Sequence, residues 1–78
     1  MTNTKLLKKA IKDAGIKILA IMEALEIKSY ETIRRKINNK ASFTAGEIQI
    51  LCELLHLTKE QREQIFFASE TELDSVSA

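Results

Sequence analysis

The chain has no proline and no tryptophan, and among its 78 residues only one cysteine, one histidine and two glycines. The lone Cys52 cannot form an internal disulfide, and no partner Cys or His stands at metal-ligand spacing, so neither bridges nor zinc would staple the core. This usage points to an intracellular, cytoplasmic protein. Gly15 and Gly46 are too far apart to build a phosphate-binding loop. No stretch approaches the roughly 18 uninterrupted apolar residues of a spanning helix. In the opening MTNTKLLKKAIKDAG lysines interrupt every apolar pair, so neither export nor anchoring is implied.

Material for catalysis is equally scarce. His56 falls at the junction of the last two helical segments, where a capping or solvated imidazole is the ordinary outcome. Cys52 lies in a mostly apolar stretch and reads as a small core residue. An enzyme is not expected, nor a cofactor, a metal or a small-molecule substrate.

What is present suits one small helical domain. A 45% apolar and 29% charged composition is that of a soluble globular chain, and at this length there is room for one core. The net charge of +1 conceals an asymmetry. Residues 1–40 hold ten basic and four acidic residues, a balance of +6, whereas residues 41–78 hold two basic and seven acidic, a balance of −5. A positive N-terminal half suits a polyanion, with the acidic half turned elsewhere. Mutual neutralisation of the two halves accounts for the charges as well.

Apolar spacing divides the chain. Leu6, Leu7, Ala10, Ile11 and Ala14 recur at helical intervals, with Thr4 as the expected cap and Gly15 as the stop. Lys5, Lys8, Lys9 and Lys12 share one face of this helix, as a solvated stripe or a phosphate-contact surface. Ile18, Ile21, Met22 and Leu25 predict a second helix over about 17–25. Ser29 is a good N-cap for a third, in which Ile33 and Ile37 point inward while Tyr30, Glu31, Thr32, Arg34, Arg35, Lys36 and Asn38 face solvent. Two short helices joined by a tight turn form the helix-turn-helix pattern.

Further on, Thr44 and Glu47 make a capping box flanked by a Phe43–Ile48 hydrophobic staple. Ile48, Ile50, Leu51, Cys52, Leu54 and Leu55 wrap more than one stripe of the helix that follows, which is expected to be buried on most sides. Thr58 and Gln61 repeat the box and open a last helix to about Ala68, with Ile65, Phe66 and Phe67 inward. The closing SETELDSVSA is short, acidic and poorly patterned. It reads as a flexible tail over 69–78, after a domain over 1–68.

A displayed helix with donors for base edges, flanked by donors for phosphates, is what duplex DNA requires. Arg34 and Arg35 offer guanidinium forks to guanine, Asn38 an amide to adenine or phosphate, Thr32 a methyl or hydroxyl, and Glu31 an acceptor for cytosine N4. An ordinary solubilising surface is the competing explanation.

The string from Gly15 to Phe67 resembles the Cro and repressor group of bacteriophages, within the XRE-like helix-turn-helix family, and the short prophage regulators of similar layout. The likeness rests on Gly15, on LAIMEALEIKSYETIRRKINNK and on FTAGEIQILCELLHLTKEQREQIFF. It departs from the family pattern at Met22, where Ala is usual, at Glu26, where the turn glycine is usual, and in one extra residue between Leu25 and Ile33. The resemblance implies an all-α, compact bundle of about five helices that dimerises on a double-stranded DNA operator and represses transcription. It implies base-reading positions at Tyr30, Glu31, Thr32, Arg34 and Arg35, with Ser29 at the helix start, and backbone contacts at Asn38, Asn39, Lys40 and Lys17. For a homodimer interface the first candidates are Ile65, Phe66, Phe67 and Leu73. The alternative function is a protein-interaction module, such as an anti-repressor that kept the fold without the DNA.

Overall fold

The computed structural model describes residues 2–67, so the acidic segment read as a tail, and Leu73 within it, lie outside the described residues. Five helices follow in order: α1 Thr4–Ala14, α2 Ile18–Leu25, α3 Tyr30–Ile37, α4 Ala45–Leu54 and α5 Lys59–Phe66. There is no strand among the described residues, and the chain is the all-α bundle its periodicity predicts. None of these helices is long and apolar enough to cross a membrane.

Most helix starts are capped by side chains. Ser29 Oγ accepts from the Thr32 N–H, and Thr44 and Thr58 form reciprocal capping boxes with Glu47 and Gln61. The cap of α1 is Asn3 and not Thr4: Asn3 Oδ1 accepts from the Leu6 N–H at 3.1 Å. Thr4 is freed for a tertiary role, its hydroxyl donating to the Ile37 carbonyl at 2.8 Å and tying the start of α1 to the end of α3. Only α2 begins without a side-chain cap, at Lys17.

The ends of α1 to α4 share one device. Gly15, Glu26, Asn39 and His56 each adopt a left-handed backbone, with φ of 68°, 58°, 61° and 54°. In each case the following N–H reaches back five residues: Ile16 to Ile11, Ile27 to Met22, Lys40 to Arg35 and Leu57 to Cys52. This is the Schellman closure, which satisfies carbonyls that a helix end leaves open. In three of the four, the next residue is apolar (Ile16, Ile27, Leu57) and packs against the core. His56 therefore acts through its backbone, and its side chain is exposed.

The core is built from one stripe of each helix. Leu7, Ile21, Ile33 and Leu51 are its most completely enclosed side chains, each contributing about 1.5–3 kcal/mol by burial. α2 packs on α4, and α1 packs on both α5 and α3. Phe43, ahead of α4, meets Phe66 of α5 edge-to-face, with ring centroids 5.9 Å apart at 86°. The Asn3 N–H also donates to the Ile65 carbonyl, closing the bundle where its two ends meet.

Two expectations about burial are corrected. α4 is not enclosed on most sides: Leu51 alone is buried within it, and Ile50 is 38% exposed, because α2 covers one face only. Ile65 and Phe66, each 3% exposed, belong to the core and offer no surface for dimerisation. They face inward as their spacing predicts, covered by α1 and Phe43, which removes them from the candidate dimer interface. Phe67 is half-buried at the surface.

Candidate nucleic-acid interface

Side chains on α3 turn about 100° per residue, so Ile33 and Ile37 fix which way every other residue points. With these two buried, Arg35 faces directly outward, and Glu31 and Asn38 lie beside it on the side of Arg34. Thr32 lies on the outward side towards α4, and Tyr30 and Arg34 lie towards α1. Tyr30 is 60% exposed, although it is aromatic and stands at the helix start.

The structure brings five expected residues together. Glu31, Arg34, Arg35, Asn38 and Lys40 line one shallow recess of about 260 Å³ at the C-terminal half of α3. Lys40 enters it because the left-handed turn at Asn39 folds the chain back against α3, its N–H bonding the Arg35 carbonyl at 2.8 Å. Arg34, Arg35 and Lys40 form no ion pair with any described residue, so three cations stand on this surface with their hydrogen-bonding capacity open to solvent.

Lys36 differs from the sequence expectation. It does not face solvent, because its ammonium donates to both carboxylate oxygens of Glu47, at 2.7 and 2.9 Å, with each side chain only 15% exposed. Glu47 Oε1 also accepts from the Thr44 N–H at 2.9 Å. Burial works against the Glu47 charge, but the hydrogen bonds from Lys36 and Thr44 outweigh it and hold the carboxyl below the usual glutamate value. One carboxylate thus caps α4 and clamps α3 to it.

Of four further expected residues, two have structural duties and two lie outside the recess. Ser29 caps α3. Asn39 adopts the left-handed turn, and its Oδ1 accepts from the Thr2 N–H at 3.1 Å, anchoring the N-terminal strand of chain. Lys17 is exposed at the start of α2, away from the recess but beside the one helix N-terminus without a side-chain cap. Thr32 is exposed and lies outside the recess.

Sequence reasoning missed a second concavity. A groove of about 310 Å³ runs between α1 and α3, floored by isoleucines and edged by Lys8, Lys12, Arg34 and Tyr30. Its signal was the placing of Lys8 and Lys12 beside Ile11, one turn apart on one edge of α1. On the same helix Lys9 is neutralised by Asp13 at 2.8 Å, and this pairing raises the lysine pKa.

Between α4 and α5, Cys52 shares an open depression with His56, Glu53 and Arg62. Burial pushes its thiol up, with Arg62 opposing, so the thiolate is disfavoured. Among the described residues no group of three His, Cys, Asp or Glu is placed to hold a metal. Comparison with protein-family models, with curated proteins and with solved structures finds no match to this chain.

Proposed function

We propose that the chain is a sequence-specific duplex DNA-binding regulator of the phage-repressor kind. In this reading α2, the turn over 26–29 and α3 act as a helix-turn-helix, with α3 entering the major groove. The observation that carries it is the outward surface of α3: Arg34, Arg35 and Lys40 converge with Glu31 and Asn38 on one recess, three cations with one acid, and none of the three is held in an ion pair by a described residue. Arginine forks and an Asn amide are the groups that discriminate base edges in the major groove.

Two features support the phosphate contacts such a docking needs. The N-terminus of α2 lacks a side-chain cap and carries Lys17, so its first N–H groups and an ammonium can meet one phosphate together. Lys8 and Lys12 on α1 flank the same side of α3 as Arg34. Glu26 takes the left-handed conformation that a turn glycine supplies elsewhere, so the loss of that glycine does not open the turn.

Two copies on a two-fold site would set their α3 helices roughly 34 Å apart, one turn of DNA. Ile65 and Phe66 are core and drop out as pairing residues; Phe67 stays a candidate, Leu73 lies outside the described residues, and among the described residues exposed Leu19 and Ile50 add large apolar side chains off α3. Enrichment of duplexes from a random library tests this function: a recurring, two-fold symmetric sequence is expected. Recovery of no preferred sequence would refute specific recognition.

A further inference from the structure

The groove between α1 and α3 is apolar at its floor and basic at its rim, a combination that fits neither a packed core nor a plain phosphate site. Its floor is Ile11, Ile18, Ile33 and Ile37. Three cations, Lys8, Lys12 and Arg34, stand on its edges, and no acidic residue lines it. The nearest acid of α1, Asp13, is held by Lys9. We propose that this groove holds the chain's own acidic segment, residues 69–78.

The segment reads SETELDSVSA. Its Glu70, Glu72 and Asp74 match the three rim cations in number and oppose them in sign, and Leu73 and Val76 supply apolar side chains for an isoleucine floor. Partly desolvated pairs of this kind orient a segment and contribute to holding it, and burial of the apolar side chains adds to the affinity, so removal of either contribution releases it.

Chain geometry permits the contact. The described chain ends at Phe67, in a small cavity it shares with Thr2 and Asn39. Asn38, one residue before Asn39, stands at the near end of the groove, and Tyr30 lines it eight residues back along α3. Eight residues of helix span about 12 Å, whereas the eleven residues 68–78 reach about 36 Å when extended. The segment can therefore run the full groove from where the described chain stops.

A consequence for DNA rests on the function proposed above. Arg34 borders both the groove and the recess on the outward face of α3. A docked acidic segment then competes with phosphate for that side of α3, and must leave before duplex binds there.

The test uses the full chain without DNA, labelled at isoleucine methyl groups. Spectra of the native chain are compared with those of a Glu70→Gln, Glu72→Gln, Asp74→Asn variant and of Leu73→Ser. The expected result is that the Ile11, Ile18, Ile33 and Ile37 methyl signals shift in both variants, and shift the same way in the native chain at raised salt. Ile48, Ile50 and Ile65, which lie off the groove, should hold still. Unmoved groove methyls overturn the proposal, as do shifts that scale with protein concentration, since those identify a second copy as the occupant. None of the substituted residues belongs to the described core, so the comparison does not depend on a damaged fold. Because DNA is absent, a negative result leaves the duplex reading standing, and a failure to bind duplex leaves these shifts unaffected.

Discussion

Lys36 and Glu47 join α3 to α4 by two hydrogen bonds from one ammonium to one carboxylate, 2.7 and 2.9 Å long. The pair withdraws Lys36 from the charged surface of α3 and ties that helix to α4 in the orientation that buried Ile33 and Ile37 set, with Arg35 outward. Glu47→Gln keeps a capping oxygen but loses the charge, and should reduce unfolding free energy by about 1.5–3 kcal/mol, the worth of hydrogen bonds to a charged group. Urea denaturation of Glu47→Gln, Lys36→Met and the double variant checks this. The double variant should fall well short of the sum of the singles.

The same carboxylate sets an acid limit. Its pKa is lower in the folded chain than in the unfolded one, so the unfolded state binds the proton more readily. The stability it provides is complete above the unfolded glutamate value, about 4.3, and is lost as pH falls through the lower folded value. Native stability should therefore decline over that acidic range, and the decline should be shallower in Glu47→Gln. Parallel pH profiles would remove Glu47 from the explanation.

Helix ends offer a paired test of backbone strain. Gly15 and Glu26 occupy the same left-handed position at successive helix ends, with φ of 68° and 58°. A Cβ at Gly15 would meet nothing within 4 Å, so Gly15→Ala isolates the backbone penalty of about 1–2 kcal/mol. Glu26→Gly should act in the opposite direction and stabilise by up to about 1 kcal/mol, once the greater freedom of glycine in the unfolded chain is subtracted. Thermal unfolding of the two variants reads both signs.

Core placement of Phe66 separates packing from assembly. Phe66→Ala should cost about 3–5 kcal/mol as a large-to-small core change, with Phe43 losing its edge-to-face partner. Native Ile50, in contrast, is exposed, and Ile50→Ser should leave stability within about 0.5 kcal/mol. Sedimentation of Ile50→Ser against the native chain shows whether that patch carries self-association.

Much of the fold was legible in the sequence because its signals are local. Thr44 with Glu47, and Thr58 with Gln61, announce helix starts through bonds made within one turn, and the structure has both boxes. Gly15 announced an end. Asn39 falls in a run of turn residues and is of a type that tolerates positive φ, whereas Glu26 and His56 did not announce theirs as left-handed closures, because most residues with a Cβ avoid that region. The apolar residue after each of these two, Ile27 and Leu57, was the available clue. Tertiary facts were the least legible. The loss of Lys36 to Glu47, eleven residues away, depends on how α3 sits against α4. Likewise Asn3 caps α1 while Thr4 bonds the carbonyl of Ile37, 33 residues distant, a partner that local sequence does not show. In the candidate site, the recess over Glu31, Arg34, Arg35, Asn38 and Lys40 followed from the period of α3 and the turn after it. The isoleucine groove needed α1 laid beside α3.

Within the proposed interface, Arg35 is the side chain most directly opposed to the core. Arg35→Ala should weaken binding to a selected duplex by about 1–3 kcal/mol and relax preference at one base position if it reads a base edge. A uniform loss across sequences would assign it to the phosphates instead.

The affinity of the full chain for duplex DNA across a salt series tests the central claim most directly. The account predicts measurable binding at about 50 mM salt and a steep fall towards about 200 mM, with a log–log slope near −0.9 for each phosphate neutralised and several such contacts. Absence of binding at low salt, or an affinity indifferent to salt, would contradict it.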